Sequence, residues 1–432
     1  MDPKPSDSNH PPILPRDRGR SPFFHGRKEI RTTFRRVLYG HRSLNEGTTF
    51  LLQGPPGVGK TALIDKLAKD AKESGWQTVH IGTNTLWDID DVLSRLGKGG
   101  RQLTGVSGEI GIADIGHANL SIDIKGAART IIKILQDQKK PVLLILDEAQ
   151  ALGKEDLVPK EMKPTVGNVL KEIHNGDLGS PVMLLAGGLG TTEAALNTLG
   201  LSRIDRSCDI HLGRLDREST CGVIRDWLMQ VGGVEDDPSP WIEAIAEHTY
   251  GWPQHIMSYI TPAVEYLCSN HHLMTDEGLE FVLEKGTEYC AEYYESRAHG
   301  IDKEWREALA RAIMDVPIDG ATTRIRIIDD LKQSGLTQEE ADKLFNQALE
   351  QGIIDQRDGG EYGIPIPSMH NWLIDQYAKN KSQDIPQTPK KLPPKLDQLL
   401  PPPNKDDPSG VKKDKGDDRG YSKGSGEFSM ER

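Results

Sequence analysis

Cysteine is scarce in this chain, with four in 432 residues: Cys208, Cys221, Cys268 and Cys290. None stands at C-x-x-C spacing, so neither a zinc site nor a dithiol redox motif is written here, and the usage suits a reducing cytoplasm. Long apolar runs are missing as well. No stretch approaches the roughly 20 apolar residues that span a bilayer, so no membrane role is expected. The opening MDPKPSDSNHPPILPRDRGRSP has no apolar core and does not read as a signal peptide. An excess of positive charge is also lacking. The 53 Lys and Arg against 65 Asp and Glu leave a formal net charge of −12. That balance argues against broad affinity for nucleic acid, although a local basic patch would survive it.

What the chain does have is length and alternation. At about 150 residues per domain the length suggests two or three domains. Residues 1–22, rich in Pro, Asp, Ser and Arg, and 380–432, rich in Pro, Lys and Asp, read as disordered tails. Between 23 and 215, short apolar runs alternate with helical patterns. The runs 48–54, 77–82, 141–147, 181–187 and 208–213 read as strands, with helices at 60–73, 127–138, 165–175 and 191–200. This alternation predicts a parallel sheet covered by helices on both faces, an αβα layering. Residues 97–126, with isoleucines alternating around glycines, predict an inserted β-hairpin. From 216 to 300 the pattern is helical throughout. From 301 to 379 three helical segments precede two short strands around Asp358-Gly359-Gly360 and a closing helix, the order of a winged helix–turn–helix.

The strongest signal is GPPGVGKT, Gly54, Pro55, Pro56, Gly57, Val58, Gly59, Lys60 and Thr61, followed by Ala62. It follows a strand pattern and opens a helical one, the context a phosphate-binding loop requires. Glycines let backbone N–H groups turn toward an anion, and the helix N-terminus adds partial positive charge. Lys60 would reach the β- and γ-phosphates of a bound ATP, and the Thr61 hydroxyl would ligate Mg²⁺. A second signal is PVLLILDEAQ (141–150), where a buried strand ends in two carboxylates, Asp147 and Glu148. Strand C-termini are where open α/β sheets hold ligands. Asp147 is expected to hold the Mg²⁺, and Glu148 to orient the water that attacks the γ-phosphate. His271-His272 has no acid or cysteine at ligand spacing and reads as a solvated loop.

Taken together, FFHGRKEI (23–30), the phosphate loop, LLILDEAQ (143–150), LSRIDR (201–206) and GWPQ (251–254) resemble the AAA+ ATPases. The likeness is to the branch of origin-recognition, ExeA and transposition-associated ATPases and related signalling NTPases. The resemblance implies an αβα nucleotide domain (23–215), a helical lid (216–300) and a winged helix (301–379). It implies that His25, Gly26 and Arg27 line the adenine pocket and that Pro253 contributes from the lid. It also implies that Arg203 or Arg206, just before the fifth strand, is donated to a neighbour's γ-phosphate. Two departures stand out. The fourth strand ends in Gly187 and Gly188, with Thr191 and Thr192 just beyond, where relatives carry a sensor asparagine or threonine. Beside GWP the neighbours are Gln254 and His255, where many relatives have an arginine.

The expected function is Mg²⁺-dependent ATP binding and hydrolysis in a cytoplasmic switch or loader. It would form a homo-oligomer in the ATP state and act on a protein client, without a membrane. A slowly hydrolysing signalling scaffold and a DNA-associated initiator or transposition ATPase are the alternatives. The segment at the recognition-helix position, 337–352, carries Glu339, Glu340, Asp342 and Glu350 against Lys343. Those acids would repel a phosphate backbone, which disfavours DNA while leaving it open.

Overall fold

A computed structural model describes residues 21–44, 47–82, 131–154, 163–232, 236–318, 320–357 and 360–378. The expected 97–126 hairpin, residues 1–20 of the expected N-terminal tail and the whole expected C-terminal tail fall outside these residues, as do Asp358 and Gly359. Ser21, counted in that N-terminal tail, is instead held by the Trp227 indole, which donates to its Oγ at 3.0 Å.

Helix α1 (Lys28–Leu44) leads into strand β1 (Thr48–Gln53), helix α2 (Lys60–Glu73) and strand β2 (Gln77–Gly82). Then come β3 (Val142–Asp147), a 3-10 turn (Ala149–Gly153), α3 (Lys163–Asn175), β4 (Val182–Gly188), α4 (Thr192–Thr198) and β5 (Asp209–His211). The five strands form one parallel sheet in the order β2-β3-β4-β1-β5.

Because side chains alternate across a strand, each central strand feeds two cores. In β3, Leu143 and Ile145 join one buried cluster while Val142, Leu144 and Leu146 join the other. In β4, Met183 and Leu185 oppose Val182, Leu184 and Ala186 in the same way. The helices of both faces cover these rows, which gives the αβα layering expected from the sequence. On one face, Asp70 of α2 is buried and accepts from Arg31 at 2.9 and 3.0 Å and from Arg35 at 2.9 Å. That fork ties α1 to α2. Burial opposes the charge on Asp70, yet the two guanidiniums hold its carboxyl below the usual range.

The strand order positions the site. Chain leaving β1 must cross over β4 and β3 to reach β2, so the loop after β1 opens beside the ends of β4 and β3. Backbone pairing fixes this closely: the Gly54 amide donates to Gly188 O at 3.2 Å.

The rest of the described chain is helical until near its end. Helices α5 (Arg217–Met229), α6 (Ser239–Thr249), α7 (Pro253–Ser269) and α8 (Asp276–Arg297) come first. Then α9 (Lys303–Ile313), α10 (Arg324–Gln333) and α11 (Gln338–Glu350) precede a two-stranded antiparallel ribbon, β6 (Asp355–Gln356) and β7 (Tyr362–Gly363), and helix α12 (Pro367–Leu373). The start of α11 carries a capping box between Thr337 and Glu340. Among the described residues no helix is long and apolar enough to cross a membrane.

Candidate functional site

The loop 54–59 joins β1 to α2. Gly57 has φ +76° and Gly59 φ +92°, a region that costs any residue with a Cβ. At Gly57 space is also short, since a Cβ would lie 2.7 Å from Gln254 Cβ and 3.1 Å from Trp252 Nε1. The loop is thus gripped from the side of α7. Gln254 N donates to Gly57 O at 3.1 Å, and Pro253 packs on Gly59.

Lys60 opens α2 and is 7% exposed. Its ammonium donates to the carbonyls of Gly54 (2.9 Å) and Pro55 (3.0 Å). Burial pushes its pKa below the ordinary lysine value, and the nearby carboxylates of Glu148, Asp147 and Asp355 oppose that push. Thr61 Oγ1 donates to Asp147 Oδ2 at 2.8 Å. The Glu148 amide donates to Asp147 Oδ1 at 3.0 Å, so Asp147 is held from both sides. Glu148 itself has φ +57°, a strained conformation for a residue with a side chain. Its exposed carboxylate accepts from Gln150 Nε2 at 2.5 Å.

Gln150 is a residue that the sequence reading passed over. Its other amide atom, Oε1, accepts from Leu189 N at 3.2 Å, just past β4. One amide therefore bridges the acid at the end of β3 and the end of β4, the place where a sensor side chain was sought. Thr191 stands at the N-terminus of α4, and the Thr192 hydroxyl is spent on Leu189 O at 2.6 Å. The signal for Gln150 was present, two residues after Glu148.

On the opposite flank, His25 Nε2 lies 2.6 Å from Asp226 Oδ2 of α5, with its ring against Gly222. Gly26, at φ +77°, packs on Ser219. The Arg27 guanidinium donates to Gly213 O and, at 3.5 Å, to Val58 O. Burial lowers the Arg27 pKa to about 10, against the pull of Asp216. These three residues therefore lie between the phosphate loop and α5. The two residues after Pro253 divide. Gln254 faces the loop, whereas His255 is fully buried away from it, beside Tyr294 (3.0 Å) and Ser368 (3.3 Å). A cation does reach this side from elsewhere. Arg297, at the end of α8, lies over the Tyr293 ring (5.4 Å to its centroid) and within electrostatic range of Lys60. No local pattern around Arg297 pointed to it.

Arg203 and Arg206 are not brought to this site. Both are exposed and precede β5, at the strand-start edge of the sheet. There His174 bonds both Thr49 Oγ1 (3.1 Å) and Ser202 O (3.0 Å). Their nearby acids are engaged elsewhere: Asp205 accepts from Ser207 N at 2.7 Å and Asp209 from Gln53 Nε2 at 2.8 Å.

Comparison with known proteins agrees with this geometry. Residues 50–212 match the model of the ATPase family associated with various cellular activities (AAA). The chain carries an AAA-family ATPase domain. Within the chain, 98 residues are 36% identical to the replication factor C large subunit of Sulfolobus acidocaldarius, covering 23% of this chain and 22% of that protein. A second relative, the replication factor C large subunit of Pyrobaculum calidifontis, is 29% identical over 24% of each chain. The matched stretch thus spans less than a quarter of these curated relatives. In structure, the Walker-type ATPase PABY2304 of Pyrococcus abyssi superimposes with a TM-score of 0.54 at 15% identity, over 84% of this chain and 98% of that one. The ADP form of the Aeropyrum pernix ORC2 protein gives 0.51 at 13% identity, over 86% and 96%. At such identities the likeness is one of fold.

The AAA domain's loop fits a nucleotide and its metal. Among the described residues, Trp252 Nε1, buried at Gly57, has no hydrogen-bond partner, and the hydrogen bonds of the buried Lys60 ammonium go to two backbone carbonyls. Thr61 and Asp147 together offer the hard oxygen donors that Mg²⁺ prefers.

Proposed function

We propose that the protein binds and hydrolyses ATP with Mg²⁺ and acts as a regulated switch or loader that assembles through its nucleotide interface. The observation that carries this reading is the convergence of Lys60, Thr61, Asp147 and Glu148 on one loop mouth, with Asp147 bonded to Thr61 at 2.8 Å. In this reading 23–215 is the nucleotide domain, 216–300 the lid and 301–379 a winged helix.

Each residue has a task that follows from its chemistry. Gly54, Pro55, Pro56, Gly57, Val58 and Gly59 wrap the phosphates, with Thr61 and Ala62 opening the helix beneath them. Lys60 supplies a partly desolvated cation to the β- and γ-phosphates, where a low local dielectric strengthens it. Thr61 and Asp147 would hold Mg²⁺, which when bound offsets phosphate charge. Glu148 accepts a proton from, and orients, the attacking water. Gln150 fixes the rotamer of Glu148. His25, Gly26 and Arg27 shape the base end of the pocket, and Pro253 closes it from the lid. Arg206, or Arg203, serves the site of an adjacent subunit.

A slow switch is the second reading, favoured by the several lid contacts that already grip Gly57. The DNA reading has less support. Arg324, at the start of the helix before the acidic one, pairs with Asp342 at 2.7 Å and stacks over Phe345. ATP turnover and particle mass, measured with ATP, ADP or no nucleotide and with or without duplex DNA, test the proposal. It expects turnover with ATP and a larger particle in the ATP state, independent of DNA. A chain that neither binds nor turns over ATP would overturn it.

A further inference from the structure

The ribbon at the end of the C-terminal helices comes back onto the phosphate loop. Gly352, at φ +67° between α11 and β6, packs so tightly on Pro56 that a Cβ there would run into the proline ring. Three residues later Asp355 enters the site. Its Oδ1 lies so close to Gly190 that a Cβ on Gly190 would be 2.5 Å from it. Gly190 is two residues past the end of β4. Asp355 therefore lies beside the segment that follows β4, within electrostatic range of Lys60 and of His211 at the end of β5. The His25–Arg27 side lies at the opposite flank, against α5.

The surroundings of this carboxylate are unusual. Burial pushes its pKa above the ordinary aspartate value. Arg357, His211 and Lys60 pull the other way from a distance, and the Gln356 amide is its hydrogen-bond donor. Among the described residues it takes part in no direct ion pair. A desolvated acid without a close counter-ion costs free energy, so the packing of Gly352 on Pro56 must hold it there.

Resting on the nucleotide reading above, we propose that Asp355 holds the γ-phosphate end of the loop in place of a terminal phosphate, so that the C-terminal ribbon favours ADP over ATP until it is displaced. The physical reason is charge. ADP leaves the γ position empty and can coexist with a carboxylate there. ATP would bring a second anion into the same desolvated space, and two like charges at short range in such a place disfavour each other strongly. ATP binding and release of the ribbon from Pro56 and Gly190 then become one linked equilibrium. By linkage, anything that binds the released C-terminal unit raises ATP affinity by the same factor.

The test compares the full-length parent chain with Asp355→Asn and with Asp329→Asn, a control at an acid of α10 distant from the loop. Affinities for Mg²⁺–ADP and for a non-hydrolysable Mg²⁺–ATP analogue are measured by titration calorimetry. Asp355→Asn should shift the ratio of the two affinities toward the ATP analogue by about tenfold or more. ADP affinity and the control should stay unchanged. Backbone hydrogen exchange in the parent chain is the second readout. The amides of 353–357 should exchange faster with the ATP analogue than with ADP, because the ribbon has been released. An unchanged ratio in Asp355→Asn, in a parent that binds both nucleotides, overturns the clamp and leaves the nucleotide site standing. A parent that binds neither overturns both. Should Asp355→Asn lose ADP as well, the exchange experiment decides, and equal protection with both nucleotides counts against the clamp.

Discussion

The Thr61 hydroxyl donates to Asp147 Oδ2 at 2.8 Å, joining the first turn of α2 to the tip of β3 across 86 residues of sequence. The bond exists because β4 and β1 are neighbours and β3 lies next to β4, which turns the ends of β1 and β3 toward one mouth. In the proposed reading, this hydroxyl and carboxylate would be the two oxygen ligands of one hard cation. The charge of this half-buried acid is offset by the Thr61 hydroxyl, the Glu148 amide and the nearby Lys60.

Lys60→Ala should weaken ATP binding about a hundredfold, the worth of one or two charge-assisted hydrogen bonds in a partly dry site. The fold should stand, because the ammonium contacts two backbone carbonyls of its own loop and no core side chain. Calorimetric titration alongside a thermal melt separates the two effects. Parental affinity in a folded variant would remove Lys60 from the phosphate site.

Arg203 and Arg206 lie at the strand-start edge of the sheet, away from their own loop, so any role on ATP must be in trans. Arg206→Ala should cost about a thousandfold or more in turnover if it is the finger. Mixing Arg206→Ala with Glu148→Gln subunits, each silent alone, should restore part of the activity. The Arg206→Ala subunit keeps its own Glu148 and borrows an arginine from its neighbour. Specific activity that stays flat on dilution, in a protein that remains monomeric with ATP, would instead fit a solitary switch.

His255 offers a stability test. Burial pushes its pKa down to about 3 from an ordinary 6.5, so it is neutral in the folded protein and readily charged in the unfolded one. Its contribution is therefore fully present above about pH 6.5 and is lost as pH falls from there toward 3, at up to about 1.4 kcal/mol per pH unit. Denaturant unfolding across that range should show the loss, with a shallower slope in His255→Asn. An identical slope in the variant would show that other groups carry the acid sensitivity.

The sheet was legible because each strand is a short apolar run with turn residues at both ends. The expected 77–82 and 141–147 correspond to β2 and β3 at Gln77–Gly82 and Val142–Asp147. Helix α2 begins at Lys60 because the loop's last glycine, Gly59, supplies the left-handed turn before it. Less could be read where chain segments meet only in the folded state. Gln150 takes its meaning from Leu189, Arg297 from Lys60, and Asp355 from Gly190. Periodicity reports which face of an element is buried, not which distant loop it will touch. The search for a lid arginine beside Gly-Trp-Pro failed for that reason: the guanidinium on that side belongs to α8, more than forty residues downstream. His255 has a helical neighbourhood but no sequence mark of its partners, Tyr294 and Ser368.

The most direct test of the account is single-turnover hydrolysis by the parent chain and by Glu148→Gln, with ATP binding measured on the same samples. The amide keeps the shape of the side chain and its place beside Gln150 but accepts a proton from water poorly. The account predicts that Glu148→Gln binds Mg²⁺–ATP as tightly as the parent while hydrolysis falls about a hundredfold to ten-thousandfold. Hydrolysis at the parental rate in a variant that binds ATP normally would contradict it.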